Sequence, residues 1–190
     1  MSDLAAIAAE AATCTRCRLA PTRTQVVFGM GDPGADLVFV GEGPGADEDA
    51  AGLPFVGRSG RLLDRLVAEE MGLTRADCYI TNTVKCRPPG NRDPKPDEMA
   101  TCRPWLDAQL GQLDPRVVVT LGNVASRALL ERTEGITRLR GRAYPWQGRT
   151  LIPTYHPSAA LRGTAGAMAG MRADLVRAKQ ALAGALRGGR

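Results

Sequence analysis

A short apolar run passes directly into a glycine-bracketed turn in Leu37-Val38-Phe39-Val40-Gly41-Glu42-Gly43-Pro44-Gly45. The run predicts a buried strand, and the turn places one carboxylate, Glu42, at the carboxyl end of that strand. In open α/β sheets ligands bind just beyond this end, and glycines there let main-chain N–H groups approach a ligand closely. The stretch lacks the GxGxxG spacing of dinucleotide-binding turns and the Gly-Lys-Ser/Thr of a P-loop. It is therefore either an ordinary acid-capped strand-to-helix turn or a site for something other than a nucleotide phosphate.

Three further strand-like runs follow along the chain. They are short and rich in Val, Ile and Tyr, and they lie at Cys78–Val84, Val117–Leu121 and Leu151–Tyr155. Segments with helical periodicity separate them. This alternation predicts an α/β fold with a mostly parallel sheet that helices cover on both faces. Because the chain has 190 residues and no repeat or linker, we expect a single domain over residues 1–190.

Composition and charge restrict the class of protein. Hydrophobic residues make up 44% of the chain, but the longest apolar run is far too short to span a membrane. There is no signal-peptide pattern, so we expect a cytoplasmic protein without a membrane partner. The net charge is +5 at pH 7, and nearly all of the positive charge is arginine. This balance favours a polyanionic partner such as nucleic acid, although coding bias also produces arginine-rich chains.

Four of the five cysteines have a spacing that suggests a metal site. Cys14 and Cys17 form a CxxC pair, and Cys86 and Cys102 lie far downstream with fifteen residues between them. Structural disulfides are disfavoured in a cytosolic chain. Zinc prefers two short-spaced pairs, whereas iron–sulfur clusters tolerate irregular spacing, so the pattern favours iron–sulfur over zinc and leaves unligated cysteines as a third alternative. Cys78 lies within a strand run and is interpreted as a small buried hydrophobic residue.

A polar pocket is predicted where three of the strands end. The only histidine, His156, closes the last strand, and Pro157 forces the next turn to begin there. The second strand run contains Asn82, whose side-chain amide carries both a donor and an acceptor. Because the carboxyl ends of parallel strands meet at one edge of a sheet, we expect Glu42, Asn82 and His156 to face a common pocket.

Taken in order, these motifs resemble those of the family 4 uracil-DNA glycosylases, the iron–sulfur type of the uracil-DNA glycosylase superfamily. The resemblance covers nearly the whole chain, and the motifs that carry it are Cys14-x-x-Cys17, Gly41-Glu42-Gly43-Pro44-Gly45 with Glu48-Asp49, Gly52-Leu53-Pro54-Phe55-Val56-Gly57, Tyr79-Ile80-Thr81-Asn82-Thr83-Val84-Lys85-Cys86-Arg87-Pro88-Pro89, Cys102, Leu121-Gly122 and His156-Pro157-Ser158. The resemblance implies a three-layer α/β/α sandwich around a four-stranded, mostly parallel sheet. It also implies a [4Fe–4S] cluster on Cys14, Cys17, Cys86 and Cys102, and the removal of uracil from DNA.

The resemblance further implies roles for particular residues. The flipped-out uracil is expected to bind among Gly41, Glu42, Gly43, Phe55, Asn82 and His156, with Phe55 stacking on the base and Asn82 reading its edge. His156 is expected to donate a hydrogen bond to uracil O2 while the C1′–N1 bond breaks. Glu42 is the first candidate for orienting water or stabilising the sugar cation, and Glu48 is the second. Contacts with DNA are expected from Asn91, Arg92, Leu161 and Arg162.

The chain departs from the wider superfamily within the glycine-rich turn. Gly43 and Gly45 occupy the places where the classical members carry an aspartate and a tyrosine, which activate water and exclude the methyl group of thymine. Water activation must therefore be done otherwise or matter less, and the exclusion of thymine must depend on residues elsewhere. The loop Arg87–Pro96 also lacks the histidine that is typical of relatives that cross-link to DNA, so we expect turnover rather than trapping.

Three functions compete for this pattern. The first is a monofunctional uracil-DNA glycosylase of base excision repair, which acts as a monomer on uracil-containing DNA and leaves an abasic site. A sliding-clamp partner cannot be identified from the sequence. The alternative is a non-catalytic iron–sulfur or zinc module that binds DNA, although such a module has no need of Glu42, Asn82 and His156 together. The absence of a partner-cofactor motif weakens the third, an electron-transfer protein. Release of free uracil discriminates the first two.

Overall fold

The computed structural model describes residues 3–187. Its helices are α1 (Leu4–Ala12), α2 (Ala46–Ala51), α3 (Arg58–Met71), α4 (Pro96–Leu113), α5 (Gly122–Leu130), α6 (Ile136–Leu139), α7 (Pro157–Leu161) and α8 (Ala167–Arg187). Its strands are β1 (Met30–Gly31), β2 (Leu37–Gly41), β3 (Tyr79–Asn82), β4 (Val117–Leu121), β5 (Tyr144–Trp146) and β6 (Arg149–Thr154). Short 3₁₀ turns occur at Ala20–Thr22, Arg75–Asp77 and Pro89–Asn91. No helix within the described range has the length and apolar character needed to cross a bilayer.

All of these strands belong to one mixed sheet with the order β1-β3-β2-β4-β6-β5. The inner strands β3, β2, β4 and β6 run parallel to their neighbours. Their register sets Gly41 opposite Asn82 and Leu121 opposite Thr154. Parallel pairing therefore brings the carboxyl ends of four strands to the same edge of the sheet.

The sheet has six strands rather than the four that we expect from the sequence. The four predicted runs are the central parallel strands, and their ends differ by a few residues from the prediction. The additional strands β1 and β5 pair antiparallel at the two edges. Gly31 has a φ of 127°, and Pro145 has no N–H to donate, so both segments suit only an edge. Strands of two or three residues carry no periodicity by which the sequence could reveal them.

Helices cover both faces of the sheet, as the sequence predicts. Successive residues of a strand point to opposite faces, so β2 contributes to two separate cores. On one face Phe39 packs with Leu66 of α3 and Leu175 of α8. On the other face Val38 packs with Leu110 of α4 and with residues of α5. Both faces are thereby closed to water, and the carboxyl edge of the strands is left accessible.

A third apolar cluster fixes the amino-terminal helix to the rest of the protein. Ile7 and Ala11 of α1 pack together with Trp105 of α4 and with the buried Cys86 and Cys102. The cysteines that directly follow α1 are partly buried against this cluster. Packing of α1 on α4 thus brings the four sequence-predicted metal ligands into one region.

We predict that Gly60→Ala destabilises the fold. A Cβ at position 60 would lie 1.6 Å from the carbonyl oxygen of Phe55, so the start of α3 must move away from the preceding loop. Overpacking of this kind is expected to lower the free energy of unfolding by about 1–3 kcal/mol. Urea denaturation of the purified variant measures this change.

Gly111→Ala is the matched control, because it replaces a glycine in the exposed part of α4 where a Cβ meets no atom within 4 Å. There the higher helix propensity of alanine is expected to raise the free energy of unfolding by about 0.5–1 kcal/mol. Equal stabilities for the two variants would contradict the close packing of α3 against Phe55.

Candidate active site

A cleft of about 800 Å³ opens at the carboxyl edge of the sheet. Most of the residues that the sequence places at the site line this cleft: Glu42, Gly43, Glu48, Phe55, Asn82, Asn91, Arg92, His156 and Arg162. Gly41 packs against Asn82 and Phe55, which line the cleft. Leu161 is exposed on α7, two residues of which, Ser158 and Ala159, line the cleft. Residues from four strand ends thus meet in one concave site.

Asn82 presents an unused hydrogen-bond acceptor in this site. The residue is 1% exposed, and its Oδ1 accepts no hydrogen bond from any part of the chain that the structure describes. A buried acceptor without a partner costs about 1–3 kcal/mol. A Cβ at Gly41 would lie 2.4 Å from this oxygen, so only glycine fits beside it. The amide is therefore held in place by close packing, and its acceptor has no partner within the described residues.

His156 presents a donor to the same cleft. Its Nδ1 accepts the backbone N–H of Ser158 at 3.1 Å and lies 2.8 Å from the Ser158 hydroxyl. Because Nδ1 is the acceptor, the neutral ring carries its proton on Nε2. Burial, with a smaller contribution from the positive charge of Arg162, lowers the pKa of His156 to about 4. At neutral pH the side chain is therefore an uncharged donor through Nε2–H.

Phe55 supplies a buried aromatic face beside this histidine. The centroids of the two rings are 5.8 Å apart, and the ring planes are inclined by 37°. The φ of Phe55 is 53°, in the left-handed region that residues with a side chain seldom adopt. The carbonyl oxygens of Pro54 and Phe55 accept hydrogen bonds from Arg75 at 2.9 and 2.5 Å. Contacts made by the main chain therefore fix the position of the ring.

Glu42 differs from an ordinary surface carboxylate in its protonation. Burial and then the negative charge and hydrogen bond of Asp93 raise the pKa of Glu42 to about 7. Asp93 belongs to the loop before α4 and also lines the cleft. Near neutral pH, Glu42 therefore exchanges a proton readily, which is the condition under which a carboxylate acts efficiently as a general base.

Glu48, the second carboxylate predicted for the site, is engaged by the main chain. Its Oε1 accepts the N–H groups of Val56 and Gly57 at 3.0 and 2.9 Å, and its Oε2 accepts that of Gly45 at 3.1 Å. These bonds join the glycine-rich turn to the loop that follows Phe55. The contacts favour a role in holding the two loops together.

The four predicted DNA-contacting residues differ in what they offer. Leu161 is 39% exposed, and Arg162 beside it is exposed at the mouth of the cleft. Asn91 is also exposed, and its Oδ1 accepts a hydrogen bond from Arg87 at 2.7 Å. The guanidinium of Arg92 instead forms two hydrogen bonds with the buried carboxylate of Glu98, at 2.8 and 2.7 Å. These bonds lower the pKa of Glu98 to about 2. The guanidinium of Arg92 is thus engaged in a contact that stabilises the fold.

Cys14, Cys17, Cys86 and Cys102 line one small pocket on the amino-terminal side of the molecule, and none of them forms a disulfide. Within residues 3–187, no three His, Cys, Asp or Glu side chains converge closely enough to hold a single metal ion. A cluster of four irons does not require such convergence, because each thiolate binds a different iron.

The surroundings of three of the four sulfur atoms fit a group that carries negative charge on sulfur. The Sγ of Cys14 accepts a hydrogen bond from the Trp105 indole at 3.4 Å, and that of Cys102 accepts the N–H of Lys85 at 3.3 Å. The Sγ of Cys86 accepts one from the Arg23 guanidinium at 3.4 Å. Hydrogen bonds to the sulfurs are among the contacts that tune iron–sulfur sites. The donor set of this pocket therefore fits a thiolate-bound cluster.

Sequence reasoning missed three residues that the structure brings to the site. Asp93 lies in a loop that the sequence characterises as basic, yet it faces Glu42. Ser158 follows His156 by two residues, a local spacing from which the helix cap could have been found. Arg75 is distant in sequence from the carbonyl groups that it binds, and nothing local indicates the contact.

The sequence model of the Uracil DNA glycosylase superfamily matches residues 28–182, a span that contains the sheet and the whole cleft. A match of this extent agrees with the fold and with the set of polar strand ends. The chain therefore belongs to the uracil DNA glycosylase superfamily.

Relatives define its place within the superfamily. The chain is 44% identical over 169 residues to the type-4 uracil-DNA glycosylase of Sulfurisphaera tokodaii, covering 85% of this chain and 77% of the relative. It is 48% identical over 151 residues to the type-4 enzyme of Thermotoga maritima, covering 78% of each. Identity to the type-5 uracil-DNA glycosylase of Thermus thermophilus is 35% over 158 residues, covering 73% of this chain and 71% of the relative. The chain is accordingly a member of the type-4 family.

Proposed function

We propose that this protein hydrolyses the N-glycosidic bond of uracil in DNA, releasing free uracil and leaving an abasic site for base excision repair. The observation that carries the proposal is the buried Oδ1 of Asn82, which accepts no hydrogen bond from residues 3–187 and lies at a cleft that also contains a neutral histidine donor and an aromatic face. A nucleotide must leave the base stack to reach such a site. Type-4 relatives named as uracil-DNA glycosylases support the same conclusion.

The amide of Asn82 is suited to the edge of uracil. Its Oδ1 accepts from N3–H and its Nδ2 donates to O4, whereas cytosine presents the reversed pattern at both positions. A buried site that hydrogen-bonds one pattern rejects the other by about 10⁴-fold, because mismatched polar groups are left unpaired. Phe55 stacks on the extruded base, and the Gly41–Gly43 backbone lies close to it.

His156 is suited to the charge that develops on the leaving base. As the C1′–N1 bond breaks, negative charge accumulates on uracil O2, and the Nε2–H of His156 donates to it. One such preorganised donor is worth about 3 kcal/mol of transition-state stabilisation. Ser158 contributes indirectly, because its contacts with Nδ1 keep the proton on Nε2.

Glu42 is suited to act on water in its ionised form. The carboxylate accepts a proton from the attacking water while the sugar carries positive charge, as in other glycoside cleavage. Glu48 positions the two loops around the base rather than the water, because three main-chain N–H groups bind its carboxylate. This division of roles replaces the aspartate of the classical members, whose place Gly43 occupies.

The DNA duplex is expected to contact the rim of the cleft. Leu161 enters the space that the extruded nucleotide vacates, and Arg162 and Asn91 approach phosphate groups or the opposite strand. Arg92 supports this surface indirectly through its bonds to Glu98. A monomer of one domain over residues 1–190 is sufficient for this arrangement.

Cys14, Cys17, Cys86 and Cys102 would hold the [4Fe–4S] cluster of this family. Such a cluster, when bound, would link the segment after α1 covalently to Cys86 in the loop after β3 and to Cys102 within α4. The chain's own residues provide the remaining support through the Trp105, Lys85 and Arg23 donors described above.

The proposal predicts breaks only at uracil in matched oligonucleotides that carry U, T or C at one position. The duplexes are incubated with protein and then treated with alkali, which cleaves at abasic sites. Asn82→Asp is expected to reduce the preference for U over C by about 10²-fold or more, since a protonated carboxyl group matches cytosine better. Affinity for the DNA is expected to stay the same.

Asn123→Asp is the control, because Asn123 lines the same cleft but uses its Oδ1 to accept the N–H of Ile136, which a carboxylate also does. It should retain the preference of the wild type. Folded wild-type protein that leaves every oligonucleotide intact would instead identify a non-catalytic DNA-binding module.

A second prediction concerns the dependence of the rate on pH. The pKa of Glu42 is raised to about 7, so the fraction that is ionised, and with it the rate of uracil release, rises as pH increases through about 7. His156, with a pKa of about 4, stays neutral over that range and adds no further inflection. Glu42→Gln is expected to lower the rate by about 10²-fold or more and to abolish the rise. Single-turnover rates between pH 5.5 and 9 measure both effects.

Asp93→Asn is the control for this profile, since it removes the carboxylate that disfavours ionisation of Glu42. The midpoint is expected to move to lower pH while the plateau rate is retained. A midpoint that stays in place would contradict the coupling of these two carboxyl groups.

A third prediction tests the cluster. Cys86→Ala is expected to lose the visible absorbance of the iron–sulfur protein and to lower its melting temperature, because one of four ligands is removed. Cys78→Ala is the control, since the Cys78 thiol is buried beside β3 and donates to backbone carbonyls of Thr74 and Arg75. A wild-type protein that is stable, active and colourless after anaerobic purification would refute the assignment.

A further inference from the structure

We propose that Arg75 is a positioning residue for recognition of the flipped-out base. From outside the cleft, its guanidinium holds the backbone of Pro54 and Phe55 and thereby sets where the Phe55 ring meets the base. The inference rests on the proposed function, because it assigns to Arg75 a share in the affinity for uracil. Arg75 itself touches neither substrate nor reacting atoms.

Every nitrogen of the Arg75 guanidinium is engaged. Nη1 donates to the Pro54 carbonyl at 2.9 Å, and Nη2 donates to the Phe55 carbonyl at 2.5 Å. Nε and Nη2 also bind the Asp64 carboxylate at 3.1 and 2.9 Å. Asp64 lies on α3, so Arg75 joins this helix to the loop that precedes it. The side chain is 20% exposed, which shields these contacts from water.

The backbone of Phe55 requires such support because its conformation is unfavourable in isolation. A residue with a Cβ at a φ of 53° is strained and persists only where its surroundings determine that conformation. Two glycines complete those surroundings. Gly60 packs directly on the Phe55 carbonyl, and Gly41 packs on the edge of the ring.

The geometry of the contact requires arginine. The rigid, planar fork spreads its donors so that Nε and Nη2 bind the Asp64 carboxylate while Nη1 and Nη2 reach two successive carbonyl oxygens, a fixed geometry that the compact ammonium group of lysine does not provide. Loss of the fork leaves two carbonyl groups without donors and releases the left-handed turn. The Phe55 ring then loses its fixed distance from His156, and the base loses a preorganised stacking surface.

The consequence is specific to the base rather than to DNA in general. Stacking of one base on an aromatic ring changes affinity by about tenfold or more. DNA in which the base is already missing gains nothing from this surface. Arg75 is therefore expected to affect the release of uracil and to leave the affinity for the DNA backbone unchanged.

The experiment compares Arg75→Gln with the wild-type holoenzyme in two assays. One measures the single-turnover rate of uracil release at several enzyme concentrations, and the other measures the Kd for the same duplex with an abasic site. Arg75→Gln is expected to reduce the rate at subsaturating enzyme by about tenfold or more. The Kd for the abasic duplex is expected to change by less than about twofold.

Arg116→Gln is the matched control. Arg116 also combines a carboxylate, Asp36, with a backbone carbonyl, that of Ala185, and its side chain is 22% exposed. It lies at the amino end of β4, opposite the cleft. It is expected to lose stability without a change in either assay.

A double-variant cycle with Phe55→Ala separates positioning from general destabilisation. If Arg75 acts through the ring, adding Arg75→Gln to Phe55→Ala changes the rate by less than about twofold, because the ring is already absent. Multiplicative losses, or an Arg75→Gln rate equal to that of Arg116→Gln, would overturn the inference. Asp64→Asn provides a second, milder variant if Arg75→Gln fails to fold. Absence of uracil release by the wild type would count against the proposed function itself.

Discussion

The parallel register of β3, β2, β4 and β6 is the constraint on which the site depends. It sets Gly41 directly opposite Asn82, and the missing Cβ of Gly41 gives room to both the Asn82 amide and the Phe55 ring. A slip of one residue in this pairing would reverse the face on which every side chain lies. The two apolar cores that cover the sheet prevent that slip, because Phe39 and Val38 each fit only their own layer of helices.

Unfavourable features of the fold are concentrated around the cleft. Within residues 3–187 the buried Oδ1 of Asn82 has no hydrogen-bond partner, Phe55 adopts a left-handed backbone, and burial beside Asp93 raises the pKa of Glu42 to about 7. Features of this kind are typical of preorganised sites, which reduce the reorganisation that accompanies reaction. Other residues hold these groups in position. Arg75 supports the ring, and Glu48 ties together the loops on either side.

The sequence predicts the central strands and the members of the cleft because both follow from local signals. Apolar runs mark buried strands, and polar residues at their ends share one edge once the strands are parallel. The partners of those residues do not follow in this way. The commitment of Arg92 to Glu98, and of Glu48 to the loop after Phe55, depends on how the chain folds back on itself. The edge strands β1 and β5 are not predicted for another reason, because segments of two or three residues are too short to show a hydrophobic periodicity.

Lys85 connects the cysteine pocket with the end of β3 at the cleft. Its side-chain amino group is buried and donates to the Thr81 hydroxyl at 2.6 Å, the Asn82 carbonyl at 2.9 Å and the Gln109 side chain at 2.6 Å. Its own backbone N–H donates to Cys102. A buried polar group with three acceptors is held rigidly, since the loss of any partner leaves a buried donor unsatisfied. The cysteine pocket and the end of β3 that carries Asn82 are therefore parts of one packed unit. Order at Cys102 thus contributes to the position of Asn82.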